Sequence, residues 1–227
     1  MVISFIVLLC AIFSPCCASE EVTECEKVFT PLFGPAYNPY LGESHSGMGS
    51  GFEQTKIIRT AIPKLLEEYG CQTLVDAPCG DFYWMSHTPL KVKKYIGVDV
   101  IRELVKTNQE KYGSDVCSFV HLDMTQHSVP AGDMILCRDC LVHLSYAEIA
   151  QVLALFKKSG CRYLLTTTFP SRKKNKDIVT GKWRPLNLMA PPFNFPQPLA
   201  IIEEGCTERK GKYWDKSLAL WNLSDIP

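Results

Sequence analysis

Three acids close three successive apolar runs. Asp76 follows Thr73-Leu74-Val75, Asp99 follows Tyr95-Ile96-Gly97-Val98, and Asp123 follows Cys117–Leu122. A fourth run, Asp133–Cys137, leads into Cys137-Arg138-Asp139-Cys140, with His143 close behind. An ionised carboxylate offers two acceptor oxygens and no donor. Acids gathered at neighbouring strand ends suit a polar, cationic or hydroxyl-rich ligand. A bare phosphate wants glycine-rich backbone donors at a helix start and no clustered negative charge. The loop Asp76–Asp81 has a single glycine, Gly80. It lacks the Gly-x-Gly-x-x-Gly of a dinucleotide fold and the Lys-Ser/Thr of a phosphate-binding loop, which weakens nicotinamide and ATP readings.

The Cys137–Cys140 spacing also invites a redox or metal reading. A zinc site needs a second ligand pair, and none with matching spacing is present; His121, His127 and His143 are scattered. Structural thiols are therefore the first reading there, with no metal expected. Asp139 and His143 are the substrate-facing candidates, either of which could take a proton from an oxygen or nitrogen nucleophile. His143 reads equally well as a hydrogen-bonded residue at a helix start.

These residues need a sheet to gather them, and the chain supplies one. Strand-like segments are expected at Thr73–Ala77, Tyr95–Val98, Cys117–Leu122, Asp133–Cys137 and Arg162–Thr168. Helical spacing of apolar residues marks Phe52–Tyr69, Ile101–Tyr112 and Tyr146–Lys158. Pro63 inside the first of these predicts a kink or a break, and Gly70 closes it. Alternating strands and helices imply an α/β, Rossmann-like doubly wound sheet with right-handed crossovers and helices on both faces. Ligands of such sheets sit at the carboxyl ends of the strands, at the switch point.

The alternation stops at Phe169. Pro170–Pro198 is proline-rich, carries Arg172-Lys173-Lys174, and has little periodicity. It holds Trp183, Leu186, Leu188, Phe193 and Phe195, too apolar for a disordered tail, and is expected to be an ordered lid. Asn175, Trp183, Arg184, Asn187, Asn194 and Phe195 suit a pocket for a planar or amphipathic acceptor; the other reading makes the aromatics a plug for the sheet end. Leu199–Glu203 and Ser217–Leu223 read as two last strands joined by the polar Gly205–Lys216.

The 227 residues are 46% hydrophobic and 21% charged, which supports one well-buried core. A net charge of zero disfavours nucleic acid as partner. Residues 1–18 carry no charge, and Val2–Phe13 is almost continuously apolar. This is the pattern of a signal peptide, or of an uncleaved N-terminal anchor, and the apolar run is short for a bilayer span. A real leader implies the secretory pathway, the periplasm or a membrane-associated location; without it the chain is cytoplasmic, and membrane contact is expected only through this segment. Residues 19–43 form a linker-like approach with Pro31, Pro35 and Pro39, and Glu43–Gly51 reads as flexible Gly/Ser chain. The domain proper is 44–227, with the lid at 170–198. Of 11 cysteines, three lie in the leader. Cys79, Cys117, Cys137 and Cys161 belong in or beside strands and behave as small apolar residues, so free thiols are expected, with a pair involving Cys25 or Cys206 left open.

Val75-Asp76-Ala77-Pro78-Cys79-Gly80-Asp81 resembles the first motif of class I S-adenosylmethionine-dependent methyltransferases, with Pro78 where the first glycine usually stands. Gly97-Val98-Asp99 is similar to that family's second-strand acid, Leu122-Asp123-Met124 to the pair at the adenine, and Asp133–Asp139 to the fourth-strand motif. The resemblance covers roughly Ser44–Leu223. It implies S-adenosyl-L-methionine as cofactor and a seven-stranded, mostly parallel sheet with an antiparallel C-terminal strand; a small-molecule acceptor is expected ahead of a protein. Asp99 would then hold the ribose hydroxyls and Asp123 the adenine amino group, with Met124 beside it. Asp76, Pro78, Gly80 and Arg138 would line the cofactor, and Ser44–Ser50 and Arg59 would take its amino-acid end, Arg59 forking onto the carboxylate. The counter-readings make Asp76 and Asp99 helix caps and Arg59 a surface helix residue. The chain departs from the pattern in having the proline-rich segment where a helix should join the fifth and sixth strands. The alternative function is a non-catalytic Rossmann-like protein binding a nucleoside or a partner.

Overall fold

The computed structural model describes residues 21–33 and 43–227. The leader and Pro35, Tyr37, Pro39 and Tyr40 of the approach segment lie outside the described residues. The strands are β1 (Thr73–Asp76), β2 (Lys94–Asp99), β3 (Cys117–His121), β4 (Met134–Cys137), β5 (Tyr163–Thr168), β6 (Ala200–Glu203) and β7 (Ser217–Asn222). They form one sheet in the order β3-β2-β1-β4-β5-β7-β6. β1 to β5 run parallel, and β7 is antiparallel to both its neighbours. The chain steps outward from β1 to β3 and returns to β4, so the switch point falls between β1 and β4.

The helices are α1 (Glu24–Phe29), α2 (Phe52–Glu68), α3 (Tyr83–Ser86), α4 (Arg102–Tyr112), α5 (Tyr146–Lys158) and α6 (Glu208–Gly211). Side chains alternate across the central strands, as a period of two requires. Val75, Ile96, Ile135 and Leu164 face one layer with Ile149, Val152 and Phe156 of α5. Leu74, Tyr95, Met134 and Leu165 face the other with Ile58, Ile62 and Leu66 of α2. Asp133 pins the start of β1, its Oδ2 accepting from the Gln72 and Thr73 amides at 2.7 Å each. Gly97 in β2 has no room for a side chain, because a Cβ there would lie 2.6 Å from the Phe119 ring on β3.

Two local expectations are corrected. α2 runs through Pro63 without a break. Ile58, Ile62, Leu65 and Leu66 are all buried there, and this packing offsets the hydrogen bond that proline removes. The Glu43–Gly51 segment is fastened rather than flexible: Ser44 Oγ (2.9 Å), the His45 amide (2.7 Å) and Ser46 Oγ (3.1 Å) all donate to the Asp81 carboxylate. Helices do not fill every connection, since α3 is a single turn and the chain from β3 to β4 has none. Ser145 and Glu148 form a reciprocal cap at the start of α5, which begins and ends where its apolar spacing does.

The proline-rich segment takes the place of a helix on the α5 face. Leu186, Leu188, Phe193 and Phe195 are buried against that core. Its polar side chains hold its own backbone. Arg184 donates to the carbonyls of Leu141 (2.8 Å), Leu144 (2.6 Å) and Lys176 (3.2 Å). The Asn175 side chain donates to the Asn187 carbonyl and accepts from the Asn187 amide, each at 2.9 Å, and Asn187 Nδ2 donates to the carbonyls of Pro170 and Arg172. All eight described cysteines are free, Cys25 and Cys206 included. No helix among the described residues is long and apolar enough to cross a membrane.

Candidate active site

A cavity of about 690 Å³ opens at the carboxyl ends of the parallel strands. Asp99 stands on its wall at the end of β2. The Asp99 carboxylate accepts from the Gly80 amide through Oδ2 and from the Ile101 amide through Oδ1, each at 3.0 Å. It therefore steadies both the β1 loop and the start of α4, and each oxygen keeps a second lone pair. Burial pushes its pKa up to about 6, against the pull of the Ile101, Gly80 and Val100 amides. Gly80 has a φ of +56°, and a Cβ there would lie 2.4 Å from Ser46 Oγ. Glycine is needed at this point because the 43–51 turn, itself part of the wall, presses against it.

Pro78, Asp123 and Met124 also line this cavity, beside Ile101, Leu104 and Leu122. Asp123 is largely committed to its own turn, accepting from the Thr125 amide (2.9 Å), the Thr125 hydroxyl (2.6 Å) and Gln126 (3.4 Å). Asp76 lies deeper. It lines an adjoining chamber of about 110 Å³ with Pro78, Gly80, Arg138 and Asp139. Tyr95 donates its hydroxyl to Asp76 at 2.6 Å. Burial pushes the Asp76 carboxyl up to about 7, the Tyr95 bond opposes this, and the Asp99 charge adds to it.

Arg138 and Asp139 belong to an ionic network. Arg138 meets Glu204 at 2.7 Å and Asp139 at 3.3 Å, and donates to the Gly49 carbonyl at 2.8 Å. Lys216 meets Asp139 at 2.5 Å and Glu204 at 3.6 Å. Burial works against the Asp139 charge, but Lys216 and Arg138 outweigh it and hold the carboxyl down to about 2. Burial and Arg138 likewise work against the Lys216 charge, and the two acids leave its pKa raised. The expectation that Asp139 takes a proton is corrected: an acid so strongly held in its ionised form is a poor base near neutrality. His143 lines the same cavity with its Nδ1 3.0 Å from the Lys182 carbonyl. A carbonyl only accepts, so Nδ1 carries the hydrogen and Nε2 keeps its lone pair. Burial lowers the His143 pKa, which favours the neutral ring.

Arg59 is not in the cavity. Its guanidinium sits 4.4 Å over the Phe52 ring and donates to the Phe52 carbonyl at 3.2 Å, so the helix-surface reading replaces the carboxylate fork. Of the lid residues expected to form an acceptor pocket, Trp183 lines the cavity, whereas Arg184, Asn175, Asn187 and Phe195 serve the segment's own packing. Among the described residues no cluster of potential ligands could hold a metal ion.

Lys216 and Glu204 escaped the sequence reading because they sit beside β7 and β6, far in sequence from Arg138 and Asp139. The one available signal was a charged residue immediately flanking each of two apolar strands. The wall supplied by Cys25, Phe29, Leu32 and Phe33 was also missed. Its signal was the Thr23 cap ahead of Glu24 and an aromatic four residues after Cys25.

No protein-family model matches the chain, and no curated protein matches it. Solved structures do. The chain is similar to the Burkholderia thailandensis 1,6-didemethyltoxoflavin-N1-methyltransferase with bound 1,6-didemethyltoxoflavin and S-adenosylhomocysteine, at 13% identity and a TM-score of 0.56, over 87% of this chain and 86% of that one. It is similar to the N-methyltransferase NodS of Bradyrhizobium japonicum WM9 at 13% identity and a TM-score of 0.50, over 74% of this chain and 93% of that one. Against the methyltransferase domain of bacterial CtHen1-C, at 12% identity and a TM-score of 0.45, 52% of this chain is covered and the chain spans 66% of that domain. The first two likenesses, with the strand order above, give the chain the fold of the class I S-adenosylmethionine-dependent methyltransferases.

Proposed function

We propose that the chain is an S-adenosylmethionine-dependent methyltransferase acting on a small-molecule acceptor. The observation that carries this is the placing of Asp99 on the wall of a large cavity at the carboxyl edge of a methyltransferase-type sheet. The residues around it fit the cofactor's chemistry. Ile101, Leu104, Leu122 and Met124 offer an apolar wall for a flat base, next to a carboxylate with spare acceptor capacity for a diol. The adjoining chamber carries the ionised Asp139 and Arg138, charges of both signs, which suits a zwitterionic tail.

Bound there, S-adenosylmethionine would supply an activated methyl group on a sulfonium. The chain's own contribution is mostly positioning and exclusion of water. Asp99 and the Asp81-fastened turn hold one side of the cavity. His143 is the proposed acceptor of a proton from the methyl acceptor's nucleophile, a role supported by its lowered pKa and by the Nε2 lone pair left when Nδ1 donates to Lys182. That the Burkholderia thailandensis and NodS proteins are methyltransferases supports the reading.

Calorimetric titration with S-adenosylhomocysteine tests it. Binding should be saturable, and Asp99→Asn should weaken it about tenfold or more, the loss of one charge-assisted hydrogen bond. No binding by pure folded protein sinks the proposal. Binding with no transfer of labelled methyl to any component of a small-molecule extract would favour a nucleoside-binding protein instead.

A further inference from the structure

A second part of the cavity wall is aromatic and positively charged. It is built from the chain after β5 and from the β6–β7 connection. Phe169, Trp183 and Tyr213 form one connected set, with ring centroids 6.1 Å apart for Phe169–Trp183, 6.1 Å for Phe169–Tyr213 and 4.7 Å for Trp183–Tyr213. All three line the cavity, and Trp183 remains 39% exposed, its ring open to the cavity.

The charges on this wall do not cancel. Lys216 and Asp139 answer each other, and Arg172 is taken by Asp215 at 3.3 Å. Lys182 and Arg209 line the cavity with no carboxylate in ion-pair reach among the described residues. Lys212 lies just outside, its Nζ 5.9 Å from the Tyr213 ring centroid. Among the described residues Glu208 is the one acid on this wall without a cation partner, and its Oε2 accepts from Cys206 Sγ at 3.6 Å. The wall therefore carries a surplus of positive charge beside flat rings.

We propose that the methyl acceptor is a planar aromatic compound bearing an anionic group, its ring against Trp183 and Tyr213 and its charge facing Lys182 and Arg209. This rests on the methyltransferase reading above. A flat ring against Trp183 removes apolar surface of both from water and adds ring–ring attraction. An anion beside two unpaired cations in a partly enclosed cavity is attracted more strongly than in open water. An aliphatic acid would forgo the first contribution, and a neutral aromatic the second.

The test is calorimetry on the full chain saturated with S-adenosylhomocysteine. The probes are hydroxybenzoates, hydroxycinnamates and indolecarboxylates, each beside its primary amide and its ring-saturated acid. At least one aromatic acid should bind about tenfold tighter than both of its counterparts, a difference of about 1.4 kcal/mol. Trp183→Ala, and separately Lys182→Met with Arg209→Met, should each weaken that acid about tenfold and leave S-adenosylhomocysteine affinity in place. Trp183→Phe, which keeps a ring, should recover most of the loss. Amides or saturated acids binding as well as the aromatic acids, no probe binding, or variants binding like the parent would each overturn the proposal. If the parent chain fails to bind S-adenosylhomocysteine, the methyltransferase reading falls. The same probes titrated into the chain alone then still decide whether the wall selects aromatic anions.

Discussion

Lys216 Nζ lies 2.5 Å from Asp139 Oδ2, across 77 positions of chain and with β5 between the strands that carry them. The pair joins the end of β4 to the start of β7. Through Arg138 the same network reaches the Gly49 carbonyl, so it also ties down the turn over the cavity. Two cations and two carboxylates meet, and each buried charge has an opposite neighbour.

Lys216→Met leaves Asp139 and Glu204 with Arg138 alone. Breaking a buried pair from one side strands the other charge, and the expected loss is roughly 3 kcal/mol of folding stability. Lys216→Met combined with Asp139→Asn should lose less than Lys216→Met alone. Acid sensitivity changes as well. The folded Asp139 pKa is depressed to about 2 from an ordinary 3.8, so its contribution is present above about pH 4 and is lost as pH falls toward 2. Urea unfolding across that window should show a shallower acid-side decline in Lys216→Met than in the parent. Equal slopes would mean that Lys216 does not set the Asp139 charge.

Asp76 has the opposite sign. Its folded pKa is raised to about 7 from 3.8, so the stability linked to its proton is fully present below about pH 4 and disappears as pH rises through 7. Asp76→Asn keeps an acceptor for the Tyr95 hydroxyl and cannot ionise. Relative to the parent, the variant should gain stability as pH rises from about 4 to 7, by up to about 1.4 kcal/mol for each pH unit over which Asp76 holds its proton, and the gain should level off above pH 7. A difference between variant and parent that does not change with pH would place the Asp76 titration outside this window.

The succession of strands along the chain and the positions of Asp99 and Asp123 were legible in the sequence because each acid follows directly on its own strand. Apolar runs of four to six residues, bounded by Gly, Pro or Asp, can hardly be anything but strands in a chain that alternates with helical periods. Partnerships across the sheet were not legible. Lys216 and Glu204 read locally as charged strand ends, and only the β5-β7-β6 order brings them to Arg138 and Asp139. Asp81 similarly gives no local sign that Ser44 and Ser46 will bind it. The amides and aromatics of the lid suit either an acceptor pocket or a plug for the sheet end, and the sequence does not choose between them. Where a helix is missing, however, the same residues must cover the sheet and satisfy an irregular backbone, and that requirement claimed Asn175, Asn187 and Arg184.

The Asp81 latch makes its own prediction. Ser44 Oγ, the His45 amide, Ser46 Oγ and the Tyr83 amide all donate to one carboxylate. Asp81→Ala strips four donors of their acceptor while leaving the strands intact. Amide hydrogen exchange in 43–51 should accelerate about tenfold or more, with little change in the exchange of β1 and β4 amides. S-adenosylhomocysteine affinity should fall in parallel, because the same turn lines the cavity. Unchanged exchange at 43–51 would show that the turn is held by its contacts with Gly80 and Arg138 instead.

If His143 is the base proposed above, it should set the pH dependence of transfer. With Nδ1 donating to the Lys182 carbonyl, Nε2 is the basic atom, and burial lowers the ring's pKa below 6.5. A base must be unprotonated to act, so the rate should rise with pH through an apparent pKa below 6.5 and then level off near neutrality. The dependence of kcat/KM on pH reports the free enzyme and should carry that step. His143→Gln retains a donor toward Lys182 but cannot take up a proton. It should lower kcat about a hundredfold, flatten the acid limb of the profile, and leave S-adenosylhomocysteine affinity near that of the parent. A His143→Gln enzyme with parent-like kcat and an unchanged acid limb would show that the nucleophile gives its proton to water, with positioning alone supplying the rate.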